Sequence, residues 1–87
     1  MIDDTIIVNT HVPPKHLLVL RWTAKDTPSN REFAQAELDH VAQFYENEND
    51  TGVLRALLAD RGMTRVGLHV LPATPDGKPI GIGGIPP

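Results

Sequence analysis

Four histidines, His11, His16, His40 and His69, are the residues best able to do chemistry in this chain. A zinc site needs three or four ligands converging within about 2.0–2.2 Å of the metal, each held by a second partner. No HxxxH pair lies on a helical stretch and no His-x-His pair on a strand, so no metal centre is predicted from spacing. Asp39 and His40 are neighbours on a helical segment, where side chains diverge by about 100° and do not pair. His11 and His16 bracket Pro13-Pro14, and His69 follows Arg65 along a strand-like segment. Together His11, His16, Arg65 and His69 are the polar groups that could line a small-ligand or catalytic pocket between a sheet and its helices.

Other chemical signatures fail at their most demanding position. The segment from Glu46 to Gly52 is rich in oxygen ligands, and setting Gly52 at the sixth place of a calcium loop puts Asn47, Asn49 and Thr51 at the first, third and fifth. The twelfth place, where a bidentate glutamate belongs, is then Leu58. A solvated link whose Asp50 or Thr51 caps a following helix is the better account. Gly81-Ile82-Gly83-Gly84 has no helix after it, so it lacks the context of a phosphate cradle. Ser29 is the only serine, and it falls in a helix-capping position rather than a nucleophile elbow. Neither a catalytic residue nor a cofactor is assigned.

Composition narrows the classes further. The chain has 87 residues, 40% of them hydrophobic, which suits a single small domain over residues 1–87. It has no cysteine, so disulfides, thiolate metal sites and thiol catalysis are excluded. Nothing approaches the ~20 apolar residues of a membrane span, and no apolar run follows the acidic start. A cytoplasmic location is expected. Net charge is −3 and the basic residues are scattered, which disfavours nucleic acid as a partner.

The elements that must position these residues follow from pattern. Ile6-Ile7-Val8 reads as a strand ending near Asn9-Thr10, and the two prolines force a break after it. His16 to Trp22 reads as a second strand whose continuous apolar run Leu17–Leu20 suits a central position covered on both faces. A helix follows, started by Ser29 with Glu32 as a capping box, or by Thr27 with Pro28 at the first helical position. It is expected to reach about Glu46, with Ala34, Leu38, Val41 and Tyr45 as its apolar stripe and Phe33 and Phe44 widening it. A shorter helix begins near Thr51, burying Val53, Leu54, Leu57 and Leu58 and stopping at Gly62. Thr64 to Leu71 alternates as a half-buried strand. Asp76-Gly77 marks a tight turn, after which Lys78 to Ile85 is expected to return as a last strand.

The expected fold is therefore α+β: a two-layer arrangement of a small mixed or antiparallel sheet with two helices packed on one face, in the order β-β-α-α-β-β. Residues 80–87 form either that last strand or a tail that pairs with a partner. Trp22, Ile80, Ile82 and Ile85 are the candidate interaction residues, an aromatic anchor and an apolar edge. The function expected is a small non-enzymatic interaction module that regulates, inhibits or adapts another protein, as a homodimer. The alternative is the ligand-binding or catalytic pocket described above.

Overall fold

The computed structural model describes residues 4–47 and 50–80. Their order is β1 (Asp4–Val12), β2 (His16–Ala24), α1 (Pro28–Ala42), α2 (Thr51–Asp60) and β3 (Val66–Pro72). The strands form an antiparallel sheet in the order β1-β2-β3, with β2 central. The expected α+β architecture with two helices on the sheet is present, in the order β-β-α-α-β. The sixth element is not part of it. Residues 78–80 make only an isolated bridge, Ala73 opposite Pro79, and residues 81–85 of the expected strand lie outside the described residues.

Register decides which side chains meet the helices. Ile6 lies opposite Trp22, Val8 opposite Leu20 and Thr10 opposite Leu18 on one side of β2. Leu20 in turn lies opposite Leu68, and Leu18 opposite Val70. Since successive side chains alternate, these residues share one face. Ile6, Leu18 and Leu20 are wholly buried there, against Ala34, Leu38 and Val41 of α1 and Leu54 and Leu58 of α2. Met63 closes the same core beyond the end of α2.

Helix α1 starts at the second of its two expected registers. The Thr27 hydroxyl accepts from the Asn30 backbone N–H at 3.1 Å and Pro28 opens the helix, so Ser29 is not the cap. A paired Asp26–Arg31 bridge, at 2.5 and 2.7 Å, holds the approach. The helix ends at Ala42 rather than Glu46, and Phe33 and Phe44 are largely exposed instead of widening the core. Asp50 does not cap α2 through its side chain; its carboxylate accepts from the backbone N–H groups of Glu46 and Asn47, tying the link between the helices. Val53 is exposed, so α2 buries chiefly Leu54 and Leu58. Gly62, at φ 86°, turns the chain out of α2 in the left-handed region that glycine adopts without strain.

One charged side chain joins the helices from within. Glu37 is only 7% exposed on α1, where it accepts from the guanidinium of Arg61 at the end of α2. That hydrogen bond holds the Glu37 carboxyl below its ordinary value, against the opposing effect of burial.

Candidate functional site: the open face of the sheet

Both helices pack on one side, and no described helix covers the other face of the sheet. Alternation places Thr5, Ile7, Asn9 and His11 of β1, Leu17, Val19, Arg21 and Thr23 of β2, and Gly67, His69 and Leu71 of β3 on it. Ile7 lies opposite Arg21 and Arg21 opposite Gly67; Asn9, Val19 and His69 form the next row, and His11, Leu17 and Leu71 the last. Ile7 and Leu71 are exposed hydrophobic residues and Val19 is half-buried.

One end of this face carries a roof. After β3 the chain turns through Thr74–Gly77, closed by Gly77 N–H to Thr74 C=O at 2.9 Å and Thr74 N–H to Lys78 C=O at 2.8 Å. Gly77 has φ 87°, and a Cβ there would stand 3.0 Å from Cγ of His11, so the turn lies directly on that imidazole. Leu17, in the same cross-strand row as His11, is accordingly only 5% exposed although it points away from the helices. Nε2 of His11 is buried there without a hydrogen-bond partner among the described residues. Ile80, exposed, returns beside β3 by donating its N–H to Pro72 C=O at 3.0 Å.

Arg21 occupies the middle strand of the open part. Arg21 is exposed, and its side chain has no hydrogen-bond or ion-pair partner among the described residues. Gly67 beside it carries no side chain, and a Cβ placed there would meet only His69, at 3.5 Å. Arg21 is thus flanked across the strands by Gly67, where no side chain stands, and by Ile7. None of the strand positions on this face is acidic.

The histidines do not converge. His16 faces the helices, its ring edge-on to Tyr45 at 5.8 Å. His11 and His69 share the open face but sit on the two outer strands with β2 between them. Arg65 precedes β3, at φ 60°. His40 is exposed on α1, against Phe44. No group of three or more metal-ligating side chains forms among the described residues. Trp22 also faces the helices, half-buried against Phe33 at 5.6 Å, and Ile82 and Ile85 lie outside the described residues. Of the two candidate interaction residues that are described, Trp22 is half-buried and Ile80 is exposed.

Sequence reasoning missed Ile7, Arg21 and Leu71 because it read the β2 run as covered on both faces. The available signal was Arg21 itself, a charge two positions from Val19 on the same side of a central strand. No helix of the described residues is long and apolar enough to cross a membrane. Set against protein-family models, curated proteins and solved structures, the chain matches none of them.

Proposed function

We propose that this chain is a small non-enzymatic interaction module that binds another protein through the open face of its sheet. The observation that carries this reading is the one-sided covering of the sheet. Ile7 and Leu71 stand exposed and Val19 half-exposed on the uncovered side, around an arginine with no partner among the described residues. Apolar side chains around a central arginine are the composition that interface centres favour. The alternative, a pocket lined by His11, His16, Arg65 and His69, gains no support from side chains that point to opposite faces.

The test is selection of binders from a random-peptide display library, followed by fluorescence anisotropy on the selected peptides. Ile7→Asp with Leu71→Asp should abolish binding while circular dichroism stays unchanged. Retained affinity in that folded double variant would sink the reading.

Self-association is a separate proposal, favoured by Ile80, which lies exposed beside the outer edge of β3. Light scattering on wild type and Ile80→Asp decides it. A mass that rises with concentration and falls on substitution supports a homodimer; a monomer in both removes it.

A further inference from the structure

We infer that the partner places a carboxylate side chain on Arg21, so that the open face selects acidic-apolar protein segments. The inference rests on the proposed binding role of this face and adds the chemistry of its occupant. A guanidinium offers a planar fork of N–H donors that matches a carboxylate in two parallel hydrogen bonds. Arg21 is exposed, unpartnered among the described residues, and paired across the strands with Gly67, which puts no side chain beside it. The chain as a whole carries a net charge of −3, yet the strand positions of this face hold Arg21, His11 and His69 and no acid. Arg21 is the one formally charged side chain among these strand positions, so they carry a positive charge where the chain as a whole is negative. Ile7, Val19 and Leu71 would receive the apolar residues flanking the partner's carboxylate.

Other occupants fit less well. Phosphate sites gather several donors, commonly backbone N–H groups, but on a sheet these lie in the plane of the strands rather than on its face. Single-stranded nucleic acid needs a basic track and aromatic platforms, and no Phe, Tyr or Trp stands among these strand positions. Two copies packed face to face would bring two such guanidinium groups into one interface, with no carboxylate from either strand face to receive them.

The experiment sorts the peptides selected on the wild-type protein by composition, then measures one by anisotropy in a two-by-two design. Selected peptides should be enriched in Asp or Glu flanked by apolar residues. Arg21→Gln should weaken binding at least about tenfold, as loss of a charge-assisted pair at an interface centre does. Replacing the peptide's carboxylate by its amide should cost the same in wild type and nothing further in Arg21→Gln. Arg21→Lys should restore only part of the affinity, because the fork is lost. Peptides that need Ile7 and Leu71 but show no acidic enrichment and no dependence on Arg21 would overturn this inference and leave the binding face standing. Selection of no peptide that depends on Ile7 or Leu71 would overturn both.

Discussion

Ile6 and Ile7 are adjacent and chemically identical, yet the first is 0% and the second 52% exposed. Truncating each to alanine separates what the sheet buries from what it offers. Ile→Ala removes three carbons, worth about 0.8 kcal/mol each when fully buried, or about 2.4 kcal/mol. At Ile6 a residual cavity among Leu20, Leu38 and their neighbours adds to this, bringing the cost to about 3–4 kcal/mol. At Ile7 about half the transfer term applies and no cavity forms, giving about 1 kcal/mol. The lower strand propensity of alanine enters both and cancels in the difference. The gap is therefore about 2–3 kcal/mol, equivalent to about 8–24 °C in Tm for a domain of this size. Urea unfolding followed by circular dichroism reads it directly, as a midpoint separation of about 2–3 M at a slope of about 1 kcal/mol/M. Equal effects, or a larger one at Ile7, would refute the argument: the strand would then be in the other register, with every side chain on the opposite face.

The cap assignment predicts that Thr27→Ala costs about 1 kcal/mol and Ser29→Ala less than about 0.5 kcal/mol, measured by the same unfolding curves. Gly77→Ala, which combines φ 87° with a 3.0 Å approach to His11, should abolish amide-exchange protection at Thr74 and Ile80 while the core amides keep theirs. For Glu37 the sign follows from its lowered pKa. Its contribution is complete above the ordinary value of 4.5 and fades as pH falls through the depressed value. Wild type should exceed Glu37→Gln in stability at neutral pH, and the two should converge in acid; a gap independent of pH would refute the pairing with Arg61.

The core was legible because it rests on periodicity. Ala34, Leu38 and Val41 announce their helix face by spacing, and Leu68 its strand face by alternation. What periodicity cannot report is which face finds a cover. Leu17 and Val19 belong to one apolar run, but Leu17 is buried in the row where a turn from more than fifty residues later lies on His11, whereas Val19 keeps only partial cover. Val53 and Phe44 read as core by type and stand exposed, Phe44 because α1 ends at Ala42 before the stripe can carry it inward. Glu37 was invisible for the opposite reason: a charge on a helix reads as solvated until a partner from another element, here Arg61, is known. The site was less legible than the fold. His11, His16, Arg65 and His69 form a group by chemical type alone, and the register sends His16 to the other face.

The hydrogen bonds from Ala73 to Lys15 and from Thr23 to Arg65 set the odd positions of β2 towards β3. By alternation the odd positions of β1 turn their backbone groups to the outside of the sheet. On that margin Gln35 of α1 reaches over and donates to the carbonyl of Asn9 at 3.0 Å. An incoming strand would find the ladder interrupted there and a helix overhanging it. At the opposite margin Pro72 receives Ile80, and Val66, Leu68 and Val70 hold the outward positions. Among the described residues the sheet thus has one margin overhung by a helix and one where the chain itself already begins to add a strand, so lengthening by a partner is expected along β3.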